Sequence, residues 1–454
     1  MSIRQGSREP QVKHMTEGTP WRCILPFALP LMAGSACQQI YTLTDTTVVG
    51  QVLGVAGLAA LGACDLLAWI MGASLQAYTE GFSIRMANRF GAGDTPRLYR
   101  TMATAAVLTA TAGVLLTAVM LLAAPWILTK MDVQPEIYPM ALTYLRIIYA
   151  GLPFVAAYQY FFAILRAMGN SRAPLQTMLL SSGVNILLDL LFVAVFHWGI
   201  GGAAFATILS QALAAGYSFL RAKSLLPKEP LCALVDLSLV PSMLGLSLPM
   251  SGQIVISSLG GLVVQAVVNR YSVTFIAGYT ATYKLYGLVE MAAIAYGYAV
   301  TTYTSQNLGA QKLLRIRQGI RSAVGIALAT ALLVAASMIS FGRLLVGIFI
   351  SGTAEEVTAS ISVGYQFLCV MSVCLPLLYV MHIAKACLQG LGRAVFATAN
   401  SILELAARLW VVLVLTARLG EFSVFLAEPA AWAVGTVILA VSAWYSLRQL
   451  DRDA

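Results

Sequence analysis

Charge is scarce in this chain. Only 10% of its 454 residues are Asp, Glu, Lys or Arg, and 59% are hydrophobic; soluble globular chains carry about 25% and about 45–50%. So little polar surface cannot cover a water-soluble fold. With a mean hydropathy of +0.80, the chain reads as one that lies in a bilayer. Histidine is rarer still: His14, His197 and His382 stand far apart, which excludes a His-based zinc motif. The seven cysteines (23, 37, 64, 232, 369, 374 and 387) form no CxxC pair. Five fall in apolar runs, where Cys behaves as a small hydrophobe, so a disulfide framework is not expected. No GxSxG, HExxH or P-loop occurs, and no enzymatic activity is expected. The first 20 residues are polar and lack the apolar h-region of a cleavable signal peptide, so the first span is expected to direct insertion.

What the chain has instead is a series of apolar runs of about 20 residues, the length that crosses a hydrocarbon core. They predict an all-α polytopic membrane protein with about 12 transmembrane helices, near 24–49, 55–80, 100–124, 140–164, 174–197, 201–220, 240–268, 275–302, 321–341, 363–388, 394–416 and 425–447. The net charge of +9 resides mostly in short loops. Of the 28 basic residues, 21, Arg166 and Lys385 among them, fall in loops on the side of the N-terminus, and four (Lys130, Arg270, Arg343 and Arg418) on the other. Positive loops stay in the cytoplasm, so both termini are expected there, with the His197–Gly201 hairpin outside. No basic residue is interleaved with an aromatic platform, and nucleic-acid binding is not expected.

The chain repeats. Leu29-Pro30 opens the first half and Leu248-Pro249 the second. Gly91, in Asn88-Arg89-Phe90-Gly91-Ala92, follows Pro30 by 61 residues; Gly309, in Gln306-Asn307-Leu308-Gly309-Ala310, follows Pro249 by 60. Pro153 and Gly169 pair with Pro376 and Gly392 at one offset of 223 residues. The expected organisation is a cytoplasmic segment 1–23, a six-helix lobe 24–220, a linker 221–239, a second six-helix lobe 240–447 and a tail 448–454. With an even number of spans per half, the two bundles share orientation and are expected to be related by a pseudo-twofold axis along the membrane normal. Such repeats place substrate sites between halves and exchange access by rocking.

Among the acids inside the predicted spans are Asp45, Asp65, Glu80, Asp189, Glu290 and Glu404. Each costs at least about 2.5–3.5 kcal/mol at a helix centre, so each needs a partner, water or a function. Tyr41 and Asp45 are i,i+4 on one helix face, with Gln38 one turn away; Asn185 and Asp189 repeat the spacing. Thr207 lies one turn beyond Gly201-Gly202-Ala203-Ala204, small residues that let that helix approach its neighbour closely. Two carboxylates, an amide, a phenol and a hydroxyl are expected to make an all-oxygen cation site, suited to a proton or to Na+ at Asp45, Asn185, Asp189 and Thr207. Glu404 and Arg408, i,i+4 with the acid first, are expected to pair. Asp65 and Glu80, near the ends of the second span, are expected to meet the interface. Lys284 and Glu290 are candidates for a substrate cavity with Gln38, and Pro30 for a hinge in the first span.

In these runs the chain resembles the MATE (multidrug and toxic compound extrusion) antiporters of bacteria over roughly residues 16–447. The resemblance rests on Met15-Thr16-Glu17-Gly18, Ala28-Leu29-Pro30, Gln39-x-Tyr41-x-x-x-Asp45-x-x-x-Val49-Gly50 and Phe90-Gly91-Ala92-Gly93. It continues in Arg166-Ala167-Met168-Gly169-Asn170-Ser171, Asn185-x-x-x-Asp189, Gly201-Gly202-Ala203-Ala204-x-Ala206-Thr207 and Gln306-Asn307-x-Gly309-Ala310. It implies export of organic, often cationic and amphipathic compounds across the cell membrane, coupled to inward H+ or Na+ and without another cofactor. It also implies a cation site at Tyr41, Asp45, Asn185, Asp189 and Thr207, with a first helix that bends at Pro30. The expected partners are small-molecule substrates and the lipid bilayer, with the chain acting as a monomer. Members that couple through the second half carry acids in spans seven and ten. This chain has none there, and Lys284-Leu285-Tyr286 lacks the acid found at its third position in many relatives. The alternative is a flippase for a lipid-linked precursor; it is expected to need further spans and a strongly cationic cavity.

Overall fold

A bilayer offers no partner for a bare N–H or C=O, so each apolar run must satisfy its backbone internally, as helix. The computed structural model describes residues 14–453, and among them there are helices and turns and no strand. The segment 1–13 and Ala454, which the sequence analysis places in the cytoplasm, lie outside the described residues. The helices are α1 (Pro20–Gly91), α2 (Thr95–Lys130), α3 (Tyr138–Ala150), α4 (Leu152–Ala167), α5 (Arg172–Asp189) and α6 (Gly199–Ala222). After the linker come α7 (Val240–Val268), α8 (Val273–Gly309), α9 (Leu313–Gly347), α10 (Ala354–Gly390), α11 (Ala394–Trp410), α12 (Thr416–Leu419) and α13 (Phe422–Asp453).

Eight helices are each long and apolar enough to cross a membrane, and the bent pair α3–α4 supplies a ninth. The count reaches twelve for local reasons. Helix α1 holds 72 residues and breaks at Gly54, whose φ of 68° and ψ of −161° only glycine adopts freely, so it makes two crossings. Helix α8 is 37 residues long, but tyrosines, threonines, Lys284 and Glu290 dilute its hydropathy. Helix α11 is only 17 residues, and reaches spanning length through the π segment Val411–Leu415 and α12. A second π segment, Leu190–Val195, follows α5 directly. The offset of 223 residues that relates Pro153 to Pro376 carries Leu190 onto Leu413, inside the later π segment.

The chain divides into two compact units. One holds His14 and residues 29–251; the other holds residues 15–28 and those from 252 onward. In the first unit, one apolar core gathers Val49, Leu61, Tyr144, Tyr149, Ile200 and Ala203, and another gathers Phe82, Met86, Met102, Tyr160, Ile164 and Met243. Gly202 permits the approach of α6 to the segment after α5: a Cβ there would lie 3.2 Å from the Phe192 carbonyl carbon. In the second unit, α10 is central and packs on α8, α9 and α13. Gly278 and Gly364 let α8 and α10 cross with backbones nearly touching, and Thr282 donates to the Gly364 carbonyl at 2.7 Å. In the linker, Ser238 donates to the Asp236 carboxylate from its hydroxyl (2.6 Å) and its amide (3.0 Å). Those bonds hold that carboxyl below its ordinary range.

Candidate functional site

In the first unit, Gln38, Tyr41 and Asp45 recur along α1, and Asp45 is buried at 8% exposure. Threonines surround it. Thr42, Thr44, Thr46 and Thr47 each donate to the carbonyl four residues earlier, at 2.7–3.1 Å. Back-bonding of this kind spends the hydroxyls on the helix itself and weakens it against bending. On α5, Asn185 and Asp189 are exposed by 1% and 0%. From α6, Thr207 accepts from the Asn185 amide at 3.5 Å, the long end of hydrogen-bond range. Asp45 and Asp189 lie close enough to interact electrostatically with each other and with the Tyr41 phenol.

The unsatisfied atoms define the site's chemistry. Asp45 Oδ1, Asn185 Oδ1 and both carboxylate oxygens of Asp189 are buried without a hydrogen-bond donor. Among the described residues neither Asp45 nor Asp189 has a basic partner within ion-pair distance. A buried, bare carboxylate is expensive enough that it takes a proton or a cation. The donor set is all oxygen, which fits a proton or a hard monovalent cation. Directly after Asp189 the helix widens into the π segment, a local irregularity that recurs at functional sites. Two residues that sequence reasoning left out of the site belong to this neighbourhood. Tyr144 of α3, 4% exposed, interacts electrostatically with Asp45, Asp65 and Tyr41. Asp65 interacts with Asp45. No local spacing singles out Tyr144, since its partners are on other helices.

Pro30 lies within α1, whose non-helical backbone is at Gly54. Gln38 is exposed. Lys284 is exposed too, its ammonium 5.9 Å from the Phe349 ring centroid, while Glu290 faces His382 at 3.9 Å. Two expectations are corrected. Glu80 does not meet an interface: it is 4% exposed and pairs at 2.6 Å with Arg166, itself fully buried and 4.8 Å from the Phe162 ring. Arg408 does not pair with Glu404. It donates to Glu428 of α13 at 2.9 Å, and Glu404 accepts from Asn400 instead. Glu428, an acid in the last apolar run, was a legible signal that the sequence reading passed over. Lys385, read as a loop cation, lies in α10 and interacts electrostatically with Glu404 and Glu290. Glu290, Glu404 and Glu428 thus have cationic neighbours, unlike Asp45 and Asp189.

A sequence model described as MatE matches residues 30–191 and 249–414. The chain is 28% identical over 328 residues to the probable multidrug resistance protein YoeA of Bacillus subtilis (strain 168), covering 69% of this chain and 70% of that one. It is 20% identical over 419 residues, 91% of each chain, to the multidrug export protein MepA of Staphylococcus aureus (strain NCTC 8325 / PS 47). Among solved structures, its fold is similar to that of a MOP superfamily transporter from Pyrococcus furiosus, with a TM-score of 0.89, 22% identity, and 98% of this chain and 99% of that one covered. A MATE protein in its bent conformation matches with a TM-score of 0.87 and 22% identity over 98% of this chain and 99% of that one.

Proposed function

This chain belongs to the MatE family of multidrug transporters, and we propose that it exports organic, often cationic compounds in exchange for inward H+ or Na+ bound at Asp45, Asp189, Tyr41, Asn185 and Thr207. The observation that carries this reading is the pair of buried carboxylates with no base beside them, against a background in which Glu80 and Glu428 each have an arginine. Two like charges in one dry site cannot both stay bare. One proton shared between them, or one Na+ held by their oxygens with those of Asn185 and Thr207, removes that cost. Uptake from the side of higher ion potential therefore favours the conformation that gathers these oxygens, and release favours the one that parts them.

The first crossing supplies a compliant element. Pro30 lacks the N–H that would close its helical turn, and the back-bonded threonines weaken the helix around Asp45. Occupancy at Asp45 bends this helix, and alternating access between the two six-helix lobes follows. Gln38, Lys284 and Glu290, accessible polar groups on otherwise apolar helices, contribute to the substrate path.

The test is efflux of cationic dyes from proteoliposomes under separately imposed proton and sodium gradients. Whichever gradient drives flux identifies the coupling ion. Asp45→Asn and Asp189→Asn are each expected to reduce gradient-driven efflux by about 100-fold, and the double variant by little more, since members of one unit are not additive. Undiminished coupled efflux in either single variant excludes the site.

A further inference from the structure

Two motifs of the sequence have no part in the ion site: Met15-Thr16-Glu17-Gly18 and Gln306-Asn307-x-Gly309-Ala310. In the second unit they meet. The Met15 amide donates to Gln306 Oε1 at 2.9 Å, and Asn307 Nδ2 donates back to the Met15 carbonyl at 3.1 Å. Lys312 Nζ donates to the Thr16 carbonyl at 2.9 Å. Arg315 takes the rest: Nη2 donates to the carbonyls of Met15 (3.2 Å) and Glu17 (2.9 Å), and Nη1 to that of Gly18 (2.6 Å). Its Nε donates to Asn307 Oδ1 at 3.1 Å, which locks the fork in place. All four carbonyls from 15 to 18 are therefore held by side chains of the α8–α9 corner, and the Met15 side chain is fully buried.

The corner is itself braced. Tyr303, fully buried, donates its hydroxyl to the Arg315 carbonyl at 2.9 Å and lays its ring 5.8 Å from the guanidinium. Gly319 leaves the room for that ring, since a Cβ there would lie 2.7 Å from Tyr303 Cζ. Beyond the strap, Cys23, Ile24, Phe27 and Ala28 are each no more than 2% exposed, whereas Leu29 is 52% exposed. At that residue the chain leaves the second unit for the first, one position before Pro30. Charge-assisted bonds to successive backbone carbonyls, made from a pre-formed fork, resist release better than neutral side-chain contacts do.

We infer that Arg315, with Asn307 and Lys312, is a positioning residue for transport: it fixes residues 15–28 to the second unit, so that the first crossing flexes only beyond Ala28. This rests on the transport reading above. The anchored end lets ion occupancy at Asp45 be converted into motion of the crossing rather than into slippage of its start.

The experiment uses the full chain in liposomes, in a cysteine-free background carrying Met15→Cys, probed with a hydrophilic maleimide after permeabilisation. Position 15 is expected to react about tenfold more slowly than the exposed Cys232 kept alone in the same background, as a locally closed segment does. Arg315→Ala is expected to remove that protection and to let the coupling ion cross without dye, lowering the dye-to-ion flux ratio. Arg315→Lys, which keeps the charge but not the fork, should restore part of both. Gly319→Ala, which disturbs the brace without touching a charge, should loosen position 15 in the same way. Continued protection of position 15 in both Arg315→Ala and Gly319→Ala overturns the anchor. Loss of protection with an unchanged flux ratio overturns its role in transport. An absence of gradient-driven flux in the native protein defeats the functional reading instead, and is told apart because the labelling result does not depend on flux.

Discussion

A charge buried in a helix bundle is defined by what lies across from it. Glu80 has Arg166 at 2.6 Å in a site closed to solvent. Removing one member of such a pair strands the other and typically costs about 3–5 kcal/mol. Glu80→Gln is therefore expected to lower the thermal unfolding temperature of the detergent-solubilised protein sharply, and Glu80→Gln with Arg166→Met to recover much of the loss. The same logic separates the two glutamates near Arg408. Glu428 bonds it directly and Glu404 does not, so Glu428→Gln should destabilise more than Glu404→Gln in the same thermal assay. Equal effects would show that Arg408 leans on both. Asp45 and Asp189 invert the pattern: with no cation to strand, their neutral variants should unfold at or above the native temperature while losing coupled efflux.

Among the elements, α10 decides how tightly the second unit closes. Its crossing with α8 has no space for a side chain: a Cβ on Gly278 would stand 2.8 Å from the Gly364 amide nitrogen. Backbone cannot move aside as a side-chain tip does, and overpacking typically costs about 1–3 kcal/mol. Gly278→Ala should therefore destabilise at the upper end of that range, read by thermal unfolding, whereas Gly297→Ala on the same helix, with nothing within 4 Å, should be neutral or slightly stabilising. Helix α1 behaves differently along its length. The carbonyls of residues 15–18, just ahead of it, are held by Arg315, Lys312 and Asn307; its first crossing carries Pro30 and the back-bonded threonines, and Gly54 ends that crossing by a backbone turn that a Cβ would strain.

For the whole molecule, the asymmetry of 21 basic loop residues against four predicts which ends face the cytoplasm. A cysteine placed at Gly352, between α9 and α10, is expected to react with an impermeant reagent from outside intact cells; Cys232, in the linker, should react only after permeabilisation. The reverse pattern would invert the topology. Arg166 and Lys385, counted among those loop cations, are helical in the structure, and Arg166 is fully buried. The sequence by itself determined that the chain is helical, roughly where each crossing runs, that two halves repeat, and which polar residues share a face. It could do so because hydropathy and the 3.6-residue period are local, and a bilayer forces each run to close its own hydrogen bonds. Tertiary structure alone decided partners. Arg408 chose Glu428 over the acid one turn away, Glu80 found Arg166 rather than water, and Tyr144 came to lie near Asp45. Those choices depend on how helices distant in sequence are packed, and a buried charge is settled by the nearest opposite charge in space, whatever its distance along the chain.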